Sequence, residues 1–261
     1  MEYEAFFDTH ENRTLLAICA RKLISNVGIG GIIWGIVNIG WGIYWLEFGL
    51  LNLGLLILGV MMLSVGVRAL QSPSLQVLFL ETVVTVLLLA WNVFATVWNL
   101  TVVGEAEFIE PVFSLFVAVF FIQNYRKLRY LKERIDSIRP EEVKATKAVC
   151  KAMVKKKLKN EPNVVRTIDQ KCRAQLMDDK AFFIRRDLAR AFVVPRKDVP
   201  RFIPKPDAKR LKLVISHPLG ILKYGFDRKN SDKLKSWLAA SAEEPEPSEV
   251  IEVLEDIPES A

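Results

Sequence analysis

The sequence predicts a membrane α-helical bundle of four transmembrane helices, both termini cytoplasmic, followed by a cytoplasmic α+β domain. Three observations carry this expectation. Four apolar stretches, roughly 23–46, 49–67, 75–103 and 108–125, come near or exceed the about 20 residues that a helix needs to cross a bilayer. Charge is segregated along the 261 residues: 1–125 carry a net −5, 126–238 a net +19, and 239–261 hold eight acids and no base. Beyond residue 160 the helical period gives way to short runs rich in β-formers. The mean hydropathy of +0.21 at 25% charged residues thus averages two unlike halves.

Residues 1–22 form a polar cytoplasmic segment carrying Glu2, Glu4, Asp8 and Glu11. They lack the basic start and short apolar run of a cleaved signal peptide, so the first span is expected to be retained. Glu at position 2 excludes myristoylation there. Arg13, Arg21 and Lys22 precede the first span, Arg68 lies between the second and third, and Arg126, Lys127, Arg129, Lys132 and Arg134 follow the fourth. The other two loops carry Glu47 and Glu105, Glu107 and Glu110. The positive-inside rule therefore puts both termini in the cytoplasm, with four spans and two short outer loops, and the expected location is the cell inner (plasma) membrane. Trp41, Tyr44, Trp45 and Trp98 fall at the outer belt positions this topology defines. Cys19, Cys150 and Cys172 then face a reducing compartment, and their spacing matches no zinc pattern.

Span one contains GIGGIIWGIVNIGWG at 28–42. Gly28, Gly35 and Gly42 recur every seven residues, with Gly31 and Asn38 on the adjoining row, and span two repeats the device with Asn52, Gly59 and Gly66. Small residues in such rows let helix backbones approach closely. A dinucleotide fingerprint would need a preceding strand and a GxGxxG spacing, and Ile33 stands where the third glycine belongs. In span three, Glu81, Thr85, Asn92, Thr96 and Asn99 fall within a stripe about 60° wide, with Leu88 in the gap. At membrane depth such a stripe faces protein or water. It is either a hydrogen-bonded packing seam or a candidate polar path for an ion or small solute, and Glu81 is near enough to the start of its helix to reach the cytoplasmic interface.

Span four is lined by Phe113, Phe116, Phe120 and Phe121 and is expected to run on as a helix to Ile138. Residues 126–160 make a basic helical connector, with a second helix at 141–159. Arg126, Lys127, Arg129 and Lys132, and then Lys155, Lys156 and Lys157, are the candidate contacts to anionic lipid. Seven short strands are expected at 163–168, 171–177, 180–186, 189–194, 198–203, 210–216 and 220–226. Asp178-Asp179 and His217-Pro218-Leu219-Gly220 read as hairpin turns, with His217 at the surface. A short helix follows, carrying Leu234, Trp237 and Leu238 on one face.

The stretches FVVPRKDVPRFI, RLKLVISHPLGILKYGFD and SDKLKSWL give residues 161–240 an element order that resembles a pleckstrin-homology-like (PH-like) domain of small bacterial membrane proteins. The resemblance implies a small β-barrel or sheet closed by a C-terminal helix, used to bind lipid headgroups or protein partners. No catalytic, cofactor-binding or metal motif occurs in the sequence: there is no P-loop, nucleophile elbow, HExxH or paired-cysteine pattern. Nucleic acid is the less favoured polyanion for the basic domain, because lipid phosphate is nearer. Residues 241–261 have the Pro, Glu and Ser content of a disordered acidic tail.

These features lead us to expect a non-catalytic membrane anchor for a lipid- or protein-binding module, homo-oligomeric through its glycine and Asn/Thr faces. The alternative is a small oligomeric channel or transporter with a regulatory cytoplasmic domain.

Overall fold

The computed structural model describes residues 5–44, 51–102, 104, 108–155 and 163–240. Trp45, Glu47, Glu105, Glu107, Lys156, Lys157 and the acidic tail lie outside the described residues.

Among the described residues, seven α-helices and six strands follow one another. After a 3-10 turn at Ala5–Asp8 come α1 (His10–Tyr44), α2 (Leu51–Gln71), α3 (Leu75–Val102), α4 (Ile109–Tyr130), α5 (Lys132–Asp136) and α6 (Pro140–Lys155). The strands are β1 (Val164–Arg166), β2 (Cys172–Leu176), β3 (Lys180–Arg185), β4 (Ala191–Pro195), β5 (Lys212–His217) and β6 (Gly220–Gly225), and α7 (Arg228–Ala239) closes the order.

Among the described residues three helices, α1, α2 and α3, are long and apolar enough to cross a membrane. Their outward faces are a belt of exposed apolar side chains, among them Ile29, Ile33 and Ile36 on α1, Ile57 and Val60 on α2, and Val86, Val93 and Val97 on α3. Such a surface is compatible with a lipid environment. The fourth apolar stretch forms α4, with Phe113, Phe116 and Phe120 exposed on it. Glu110 and Pro111 at its start and Gln123-Asn124 near its end lower its hydropathy below that of the other three. The helix does not run straight on to Ile138. It breaks at Leu131, whose buried side chain turns inward while its backbone leaves the helical region at φ −95°, ψ 2°. Pro140 opens α6, as suits a residue with no N–H to leave unpaired.

At 35 residues α1 is about 52 Å long, well beyond what a span requires. The surplus is its first half. Leu15, Leu16, Ala17, Ile18, Cys19 and Ala20 are all buried, and a helix segment buried on every side must be wrapped by other elements. The wrapping comes from β4, α5 and α6. The stretch 1–22 is therefore no separate segment where it is described, because from His10 onward it is continuous with the first apolar helix.

The C-terminal domain is a four-stranded antiparallel meander, β1-β2-β3-β4, followed by the β5–β6 hairpin and α7. A bridge between Thr167 and Phe226 ties the hairpin to the β1 end of the meander. Phe183, Phe192 and Tyr224 stack in parallel at the centre, with ring separations of 5.0 and 6.1 Å from Phe183. The hairpin turns at Asp178-Asp179 and Pro218-Leu219 lie where the sequence puts them, and Gly220 at φ +125° takes a backbone conformation that L-residues rarely adopt. The strand expected at 198–203 is instead a 3-10 turn over Arg196–Phe202. Pro200 removes a ladder donor there, and Val199 and Phe202 bury themselves without a strand partner.

Candidate functional site

The glycine rows of α1 and α2 face one another. The helices pack antiparallel, with Gly28 against Gly66, Gly35 against Gly59 and Gly42 against the Asn52–Leu56 turn. A Cβ added at Gly35 would lie 2.6 Å from the Leu63 nitrogen and 2.9 Å from the Gly59 oxygen. Only bare backbone fits at such a separation, and Cα–H to carbonyl contacts become available in exchange. Asn38 is buried in the seam and donates to the Trp34 carbonyl of its own helix at 2.7 Å. The glycine face, expected to carry homo-oligomerisation, is thus occupied by α2 of the same chain.

This seam makes room for Glu81. A Cβ on Gly31 would stand 2.7 Å from Glu81 Oε1, so the carboxyl fills the space that a side chain on α1 would take. Met62 lines the same space, and Thr85 donates to its sulfur at 3.7 Å and to the Glu81 carbonyl at 2.7 Å. Glu81 is fully buried and neither carboxyl oxygen has a hydrogen-bond partner. The groove that α1 offers through Gly28 and Gly31 decides where the carboxyl goes.

The rest of the stripe divides. Leu88 is fully buried between Thr85 and Asn92. Asn92 donates through Nδ2 to Ser114 Oγ of α4 at 2.5 Å, joining the two helices. Thr96 is half-buried and donates back to the Asn92 carbonyl, and Asn99 is exposed. The inward face therefore holds Glu81, Thr85 and Asn92.

At the other end of the bundle the first turns of α1 close the edge of the sheet. Asn12 Oδ1 accepts from the Val193 N–H at 2.7 Å, and Nδ2 donates to the Val193 carbonyl at 2.9 Å. Two helical turns on, Cys19 Sγ accepts from the Ala191 N–H at 3.1 Å. Side chains seven apart on one helix face thus meet alternate residues of β4, and the strand edge is paired by a helix. Phe7 is buried against Phe192 and His217. His217, expected at the surface, is buried, and its Nδ1 accepts from the Leu219 N–H. Burial, with Arg190 nearby, lowers its pKa to about 3. Ion pairs Asp8–Arg134 at 2.8 Å and Glu11–Lys180 at 3.0 Å, with a His10 Nε2 to Glu142 Oε2 contact at 3.1 Å, ring the junction. Sequence reasoning missed this junction, although the apolar run Leu15–Ala20 ahead of the first span signals it.

Of the candidate lipid contacts, Arg126, Arg129 and Lys132 are exposed and Lys127 is half-buried on α4 and α5. Lys155 ends α6. Lys147 of α6 lies near Lys151 and near Arg21 and Lys22 of α1, and burial followed by repulsion from these cations lowers its pKa. Among the described residues no group of three His, Cys, Asp or Glu could hold a metal ion. Compared with family models, with curated proteins and with solved structures, the chain matches none of them. The class therefore rests on the fold: three membrane-length helices built onto a small antiparallel sheet domain with a C-terminal helix.

Proposed function

We propose that this chain is a multi-pass membrane protein of the inner (plasma) membrane with α4 as its fourth span and both termini cytoplasmic. It acts as a non-catalytic anchor that holds a basic, PH-like domain against the anionic leaflet, for lipid and for a protein partner. The observation that carries this reading is the Asn12 and Cys19 docking of α1 onto β4. A module held by the first membrane helix itself keeps one height and one orientation, which a scaffold needs and a tethered domain lacks. The +19 net charge of residues 126–238 then lies beside lipid phosphate.

Reconstitution of the full chain into vesicles tests it by hydrogen exchange. Anionic phosphatidylglycerol vesicles should slow exchange over 126–155 relative to zwitterionic phosphatidylcholine vesicles, and salt should reverse the effect. Equal exchange in the two lipids would overturn the lipid part.

The unpartnered carboxyl of Glu81 favours a second reading, a small oligomeric channel or transporter with its path along α3. Ion flux across the same vesicles separates the two. Flux in the wild type that is lost in Asn92→Leu, Asn99→Leu and Glu81→Gln would replace the anchor with the path.

A further inference from the structure

A pocket of about 300 Å³ opens between α1, the α2–α3 turn, the end of α4, α5 and the start of α6. Its floor is apolar, formed by Ile24, Leu75, Leu128 and Ile135, and its rim carries Arg21 of α1 and Lys132 of α5. Asp136 also lines it. Neither Arg21 nor Lys132 forms an ion pair among the described residues, and Asp136 forms none with either. Lys147 of α6 stands near enough to Arg21, Lys22 and Lys151 to be repelled by each of them. The site is therefore amphipathic, with surplus positive charge on one side and an apolar floor on the other. Leu75 begins α3 and Ile24 lies one turn before the glycine seam, so under the membrane-anchor reading the pocket sits at headgroup level.

We propose that this pocket binds one anionic phospholipid of the cytoplasmic leaflet, its phosphodiester between Arg21 and Lys132 and the start of its acyl chains on Ile24, Leu75 and Leu128. The assignment rests on the membrane-anchor reading and names a single place within it. A volume of about 300 Å³ accepts a headgroup and the first methylenes, while the remaining chain lies along the outer face of the bundle. A free phosphate would leave the floor empty, and an uncharged amphiphile would leave the two cations unpaired. Because α1 also carries the contacts to β4, the lipid would clamp the helix that positions the domain.

Native mass spectrometry of the full-length protein, titrated with phosphatidylglycerol or phosphatidylcholine, tests this. The wild type should retain one phosphatidylglycerol after mild activation and no phosphatidylcholine. Arg21→Gln with Lys132→Gln should weaken retention roughly 30-fold. Leu75→Trp, which fills the floor at unchanged charge, should abolish it. Lys212→Gln with Lys223→Gln, exposed on the β5–β6 hairpin and outside the pocket, should leave the single adduct intact. Equal retention of the two lipids, or an adduct that survives both pocket variants, would overturn the site. A lost adduct with lipid-dependent exchange over 126–155 still present would remove the pocket and leave the anchor standing. A specific adduct without that exchange effect would do the reverse.

Discussion

One methyl group separates two classes of glycine in α1. At Gly35 a Cβ would meet α2 backbone at 2.6 Å, whereas at Gly30 and Gly40 it would meet nothing within 4 Å. Gly35→Ala should therefore destabilise the folded protein by about 1–3 kcal/mol through forced separation of the helices. Gly30→Ala and Gly40→Ala should be neutral or slightly stabilising. Thermal unfolding in detergent, read on all three, checks both halves of that statement. His217 supplies a second expectation at this scale. Its folded pKa is about 3 against 6.5 in the unfolded chain, so the unfolded state takes a proton that the native state refuses. Its contribution is complete above about pH 6.5 and declines by about 1.4 kcal/mol per pH unit as pH falls, until the folded imidazole titrates near pH 3. His217→Asn cannot titrate in this way, and its denaturant midpoints between pH 7 and pH 5 should fall less steeply than those of the wild type.

Between elements, the junction of α1 with β4 is held by few groups and is correspondingly sensitive. Asn12→Leu strips the Val193 N–H and carbonyl of their partner inside the protein, which should cost about 2–4 kcal/mol. The direct sign is faster hydrogen exchange at the Val193 amide. Asn92→Leu, which removes one bond between α3 and α4, should cost only about 0.6 kcal/mol. The seam between α1 and α2 is legible in the sequence because both helices repeat small residues at seven-residue intervals, a period any helix converts into a face. The docking of α1 is not. Asn12 and Cys19 are polar or small residues with many possible uses, and their partners are backbone groups 181 and 172 positions away. The surroundings of Glu81 are hidden for the same reason: they depend on a neighbouring helix and not on its own. The 3-10 turn at Arg196–Phe202 was misread because its apolar spacing imitates a strand, and Pro200 was the contrary signal. His217 carried no such warning, since a histidine before a proline suits a surface turn equally well until Phe7 folds over it.

Across the whole molecule, the N-terminal turns, the membrane-length helices and the sheet domain form one connected body. All three cysteines are buried, and burial raises the Cys150 thiol to about 11 and Cys172 to about 12, so neither forms a thiolate near neutral pH. Maleimide labelling of the native protein should be slow at every site. Cys19 should become reactive in Asn12→Leu while Cys172 stays protected, because undocking of α1 exposes the first and leaves the sheet core closed. Simultaneous labelling of both would show instead that the domain unfolds when its edge is uncovered. The distance in sequence between Asn12 and Val193 also sets an order of events during synthesis. The first turns of α1 leave the ribosome long before the strand they serve, so Asn12 and Cys19 wait with those partners unmet until β4 has been translated. Covering the β4 edge is therefore a late step of folding, and one that the sheet cannot complete by itself.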